Sequence, residues 1–201
     1  LSKNNHQELE LIWSSEQKNW TASSVLLYNE SLYAHSVSDS IFKVDFATGT
    51  LNWKIPNSVS YMFSPPVAGN NQIFFSGRSY FQSIYSNGEP AFTVNTNGQK
   101  STGFQIINDS ILLTTRRSNG LYAYSTTTGS EYWKILPPDQ MLSTSKPIVI
   151  DSLVLVGDLG SIVNNDVGLY CYNWQNQKLR WRFLSNGYLN SPLTAHLDNI
   201  Y

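Results

Sequence analysis

The chain has 201 residues, of which 41% are hydrophobic, 13% aromatic and 13% charged, with a formal net charge of −1. That hydrophobic fraction supplies a packed core and excludes a disordered chain, and near-neutrality excludes the basic footprint of a nucleic-acid or anionic-membrane binder. The lone cysteine, Cys171, excludes an intrachain disulfide and a cysteine zinc cluster, and no apolar run approaches the ~20 residues of a membrane helix.

The sequence opens on Leu1 without a signal peptide, as expected of a processed chain. The first element is Glu10-Leu11-Ile12-Trp13, a solitary closing strand expected over 9–15. A longer unit then begins. Val25-Leu26-Leu27 turns at Asn29-Glu30 into Leu32-Tyr33-Ala34. The alternating run Ile41-Phe42-Lys43-Val44-Asp45 follows, and Ala47-Thr48-Gly49 turns it into Leu51-Asn52-Trp53-Lys54-Ile55. Alternation marks half-buried strands, and Asn, Asp and Gly supply the left-handed backbone of tight hairpins.

The unit then repeats. In the second copy Pro66-Val67-Ala68 turns at Asn70-Asn71 into Ile73-Phe74-Phe75. Phe81 to Tyr85 then turns at Ser86-Asn87-Gly88 into Pro90-Ala91-Phe92-Thr93-Val94, with Phe92 in the tryptophan place. The third copy runs Gln105-Ile106-Ile107, Asn108-Asp109, Ile111-Leu112-Leu113, then Leu121 to Ser125, Thr127-Thr128-Gly129 and Glu131-Tyr132-Trp133-Lys134-Ile135. The fourth runs Ile148-Val149-Ile150, Asp151-Ser152, Leu153-Val154-Leu155, then Leu169 to Asn173, Gln175-Asn176-Gln177 and Leu179-Arg180-Trp181-Arg182-Phe183. Leu193-Thr194-Ala195 with Asp198-Asn199 begins a fifth.

The anchors Trp13, Trp53, Phe92, Trp133 and Trp181 stand 40, 39, 41 and 48 residues apart. A period near ~40 with four strands per copy is that of a β-propeller blade. The fold class is therefore all-β, a β-propeller of four-stranded antiparallel blades. Full blades are expected at 22–55, 64–94, 102–135 and 146–183, with opening strands over 191–201. The closing strand at 9–15 and those opening strands belong to a shared or incomplete blade. A four-stranded sheet buries both faces only by stacking on neighbours, so the recurring aromatics read as packing between blades rather than ligand contacts.

The unit of strand, Asn/Asp turn, strand, loop, Leu-Tyr-Ala-Tyr-like strand, Thr-Gly turn and Trp strand resembles the pyrroloquinoline-quinone-type propeller repeat. The nearest copies are Ile41 to Ile55 and Leu121 to Ile135, and the Ser-Pro start of the first strand stands at Ser64-Pro65 and Ser191-Pro192. The resemblance spans nearly the whole chain. It implies an exported, bacterial propeller, and the superfamily holds both quinoprotein dehydrogenases and the lipoprotein subunit of the outer-membrane barrel-assembly machine. Rings of that superfamily usually close with seven or eight blades. The chain therefore reads as part of a longer propeller, with a compact ring of four or five blades as the alternative.

The sequence points to no catalytic residue, no cofactor site and no metal site. The vicinal cysteine pair of the quinone enzymes is impossible with one cysteine. Asp158, Asn164, Asn165 and Asp166 form an oxygen-rich cluster, but its glycines Gly157, Gly160 and Gly168 mark a polar surface loop. His6, His35 and His196 are far apart in the chain. Binding is the better prospect. The connections between blades carry Tyr61, Met62 and Phe63, Met141 and Leu142, and Tyr188 at equivalent places, hence on one face of a ring. Arg116 and Arg117, with Arg78 one blade earlier, add a basic spot. The expected function is a non-enzymatic scaffold or ligand-recognition domain binding a protein partner or small ligand on that face. A fragment of a quinoprotein dehydrogenase, or a sugar- or peptide-binding sensor module, is the alternative.

Overall fold

Nine non-glycine residues have a left-handed backbone among those the structure describes, and most of them make hairpins. Asn29 and Glu30 (φ 47° and 56°), Asn70 and Asn71 (52° and 57°), and Asn108 and Asp109 (47° and 53°) occur in consecutive pairs. Two successive positive φ values mark a primed turn, whose twist matches that of the flanking strands; the first two close two-residue hairpins, and the third, where Ile107 faces Ile111, has Ser110 as an extra loop residue. The computed structural model describes residues 10–14, 25–36, 40–56, 64–116, 120–136, 146–158, 167–185, 195–196 and 199–200.

Those turns connect the first two strands of successive four-stranded antiparallel sheets. The first blade holds β1 (Leu26–Tyr28), β2 (Ser31–His35), β3 (Ser40–Asp45) and β4 (Leu51–Pro56). The second holds β5 (Val67–Gly69), β6 (Gln72–Ser76), β7 (Tyr80–Tyr85) and β8 (Pro90–Asn95). The third holds β9 (Ser101–Ile107), β10 (Ile111–Arg116), β11 (Gly120–Ser125) and β12 (Glu131–Ile135). The fourth holds β13 (Ile148–Ile150), β14 (Leu153–Asp158), β15 (Val167–Asn173) and β16 (Lys178–Ser185). A two-stranded hairpin follows, β17 (Ala195–His196) with β18 (Asn199–Ile200). Residues 10–14, expected as a strand, pair with no sheet among the described residues.

The first strands of neighbouring blades approach one another, β1 with β5, β5 with β9 and β9 with β13. This places them on the inside of an arc, with the anchor strands outside. The core lies between blades. Tyr33, Ile41, Ile73, Phe75 and Ile84 fill the first junction, with Trp53 and Ile55 packed against them. Phe74, Phe81, Phe104, Leu112, Tyr122 and Tyr124 fill the second, with Phe92 and Val94. Leu113, Leu121, Ala123, Val154, Val156, Tyr170 and Tyr172 fill the third, with Trp133 and Ile135.

Each outer strand is bulged at the same place. Lys43 faces Trp53, Ser83 faces Phe92, Ala123 faces Trp133 and Cys171 faces Trp181, and in all four blades the register shifts at the next residue toward the turn. A bulge bends its strand and re-aims a side chain. Here it accompanies an anchor that reaches the next blade. Trp53 Nε1 donates to the Ser86 carbonyl at 3.2 Å, and a Cβ at Gly88 would sit 3.3 Å from the indole. A Cβ at Gly129 would meet the Phe92 ring at 2.6 Å. Trp13 does the same to the first blade, donating to the Phe46 carbonyl at 2.9 Å with its ring against Gly49.

Candidate binding face

The antiparallel order gives each blade two unlike ends. At the turn end lie the tight connections after the first and third strands. Their backbone groups are satisfied locally: Asp45 Oδ1 accepts from Thr48 N and Oγ1 at 2.8 Å, Ser125 Oγ accepts from Thr127 N and Thr128 N, and Asn173 Oδ1 accepts from Gln175 N and Asn176 N. The Thr48 bonds hold the Asp45 carboxyl below its ordinary value. At the loop end lie the connections from second to third strand and from one blade to the next.

The expected aromatic face falls on those loop-end connections. Tyr61, Met62, Phe63, Met141, Leu142, Tyr188 and Arg117 lie outside the described residues. The loop of 159–166, with Asn164, Asn165 and Asp166, lies outside them as well. Among the described residues no group of three or more His, Cys, Asp or Glu side chains gathers to hold a metal ion.

Arg78 and Arg116, paired in the sequence as one basic spot, differ in kind. Arg78 is an exposed loop residue between β6 and β7. Arg116 is the last residue of β10 and is 6% exposed. Its guanidinium carbon stands 4.0 Å from the Tyr122 ring centroid and 5.4 Å from that of Tyr124, and Nη2 donates to the Tyr124 hydroxyl. The two tyrosines stack with planes 6° apart. Burial pushes both phenols up, with the Arg116 charge opposing it. Gly120 stands opposite Arg116 across the ladder. The matching positions of the second blade are Gln82 and Ile84, so Arg78 has no such platform. The fourth blade repeats the platform with Tyr170 and Tyr172, 8° apart, but puts Asp158 opposite its glycine, Gly168.

The described acidic side chains gather at one end, which reading the sequence by motif did not show. In the four blades the acidic side chains that the structure describes are Glu30, Asp45, Glu89, Asp109, Glu131 and Asp151, all at the turn end. Arg78, Lys100, Arg116 and Lys146 stand at the loop end, as does the backbone of Asp158, whereas Lys178 opens β16 at the turn end and Lys43 Nζ donates to the Ser86 carbonyl there. Assigning each charge to its place in the repeat would have revealed this pattern.

Four-stranded blades stacked through bulged, anchor-bearing outer strands define a β-propeller of the pyrroloquinoline-quinone-like repeat class. The family model described as outer membrane protein assembly factor BamB matches residues 77–198, more than half of the chain, and the chain belongs to that family. BamB from Moraxella catarrhalis is similar in structure, with a TM-score of 0.66 and 17% identity over 86% of this chain and 51% of that one. The chain thus spans about half the length of that BamB chain. The computationally designed Ika4 protein is also similar, with a TM-score of 0.65 and 13% identity over 80% of this chain and 96% of that one. No curated protein matches the chain.

Proposed function

We propose that the chain is part of a non-enzymatic, exported propeller that acts as a protein-interaction scaffold, with the loop end as its binding face. Membership of the BamB family carries this reading. It is supported by the contrast between the ends. The turns are short and hydrogen-bonded within themselves, whereas the loop-end connections are where the sequence departs from its repeat and places Tyr61, Phe63, Met141 and Tyr188. Aromatic and methionine side chains at such places are favoured interface anchors.

The role that the family name describes, a part in assembling outer-membrane proteins, is the finer form of the reading, and it would put the protein in the bacterial envelope. The four blades would then belong to a larger ring. Trp181 and Phe183 are 41% and 62% exposed, whereas Trp53 and Phe92 are each half-covered by the following blade.

Replacing Tyr61, Phe63, Met141 and Tyr188 together by Ser tests the reading. The variant keeps its thermal transition and loses at least about tenfold in capture of a partner from envelope extract, as expected when interface anchors are truncated. Unchanged capture overturns it.

A further inference from the structure

We infer that the loop end of the junction between the second and third blades is a receptor for a carboxylate, with Arg116 and Ser101 as its donors. The inference rests on the scaffold reading above and names the chemistry of the partner: an acidic peptide segment.

Three buried polar atoms there lack a hydrogen-bond partner: Thr96 Oγ1, Ser101 Oγ and Arg116 Nε. Thr96 follows β8, and Ser101 opens β9. Ser101 and Arg116 are direct cross-strand partners, so their side chains leave the sheet on the same face. That face looks toward the second blade, because Tyr124 meets Phe81 edge-on at 5.0 Å. Nearly all buried polar groups in folded proteins are paired, so unfilled donors in one place mark a site.

Charge points the same way. A buried guanidinium is costly without an anion beside it. The one salt bridge among the described residues joins Lys134 to Glu131. What compensates Arg116 is a neutral hydroxyl and two aromatic faces. Arg78, Lys100 and Lys146 at the same end add attraction for an acidic segment. A carboxylate has two oxygens, one for the Arg116 N–H and one for the Ser101 hydroxyl. Because Nε and Oγ are covered, it enters as the guanidinium lifts from Tyr122, exchanging a cation–π contact for a charge-assisted hydrogen bond, the stronger of the two.

The test is titration of the whole chain with hexaglutamate at fixed ionic strength, followed on the backbone amide resonance of Gly120, which faces position 116 across the ladder and is present in every variant. A saturable shift is expected, with affinity falling about tenfold in Arg116→Gln and severalfold in Ser101→Ala, and changing less than about twofold in Arg78→Gln. Ser101→Ala leaves the buried charge in place and serves if Arg116→Gln does not fold. No shift, or equal weakening by Arg78→Gln and Arg116→Gln, overturns the site in favour of diffuse attraction. If hexaglutamate fails to bind while envelope-partner capture persists, this site falls and the scaffold reading stands. Binding of hexaglutamate without capture of any partner gives the reverse.

Discussion

Gly129 shows how much of the fold turns on single positions. Its φ is +72°, a conformation that side-chain-bearing residues resist, and an added Cβ would lie 2.6 Å from the Phe92 ring of the preceding blade. Two separate penalties therefore meet at one atom: backbone strain, and overlap with the Phe92 ring and the Val94 side chain, which must shift to admit it. Gly129→Ala is expected to lower unfolding free energy by about 2–3 kcal/mol in urea denaturation. Gly98 is the control, since its φ is +78° but nothing lies within 4 Å of the added atom. Gly98→Ala is expected to cost only about 1 kcal/mol, the backbone part alone. Equal losses at the two sites would show that the ring contact contributes nothing.

At the scale of the element, the hairpin between β1 and β2 is the one whose sequence fits its shape least well. Asn-Asn and Asn-Asp occupy the equivalent turns in the next two blades, but here the second position is Glu30, held at φ 56°. Asn visits the left-handed region readily because its short amide bonds locally, and Glu does not. Glu30→Asn is expected to stabilise the chain by about 0.5–1 kcal/mol, read as a rise in the denaturation midpoint with an unchanged slope. The strands around these turns were legible from alternation and turn residues alone. The bulges were not. An extra residue at Asn52, Ala91, Tyr132 or Arg180 leaves the hydrophobic pattern intact and shows only in the ladder, where the partner of Val44 is Leu51 rather than Asn52. The strand expected at Glu10 to Trp13 keeps its anchor role without its pairing: the indole alone finds Gly49 and the Phe46 carbonyl.

For the whole molecule, the period of the anchors was enough to show a propeller of four-stranded blades, because each blade must present the same packing surface to the next, and the Leu-Tyr-Ala-Tyr-like strand, Thr-Gly turn and Trp strand carried the family. The candidate site was less legible. Arg78 and Arg116 sit at the same offset from their turns and read alike. What separates them is on the neighbouring strand, where the third blade has Tyr122 and Tyr124 and the second has Gln82 and Ile84. Local patterns say nothing of such a difference, because it arises from cross-strand neighbours. The gathering of acidic side chains at the turn end was hidden for a related reason, since it becomes visible only when every residue is assigned to an end.

The substitution of phenylalanine for tryptophan in the second blade has an optical consequence. Trp53 and Trp133 stand at the first and third junctions, where their emission reports on local separation of the blades. The middle junction has Phe92 in that role and is dark to indole fluorescence. Phe92→Trp is expected to add an emission change during urea unfolding that the parent protein lacks, and comparison of the two curves reads the middle junction directly. Coincident curves mean that the four blades come apart together. A separate transition in the variant would mean that the arc opens first at the seam where Arg116 lies.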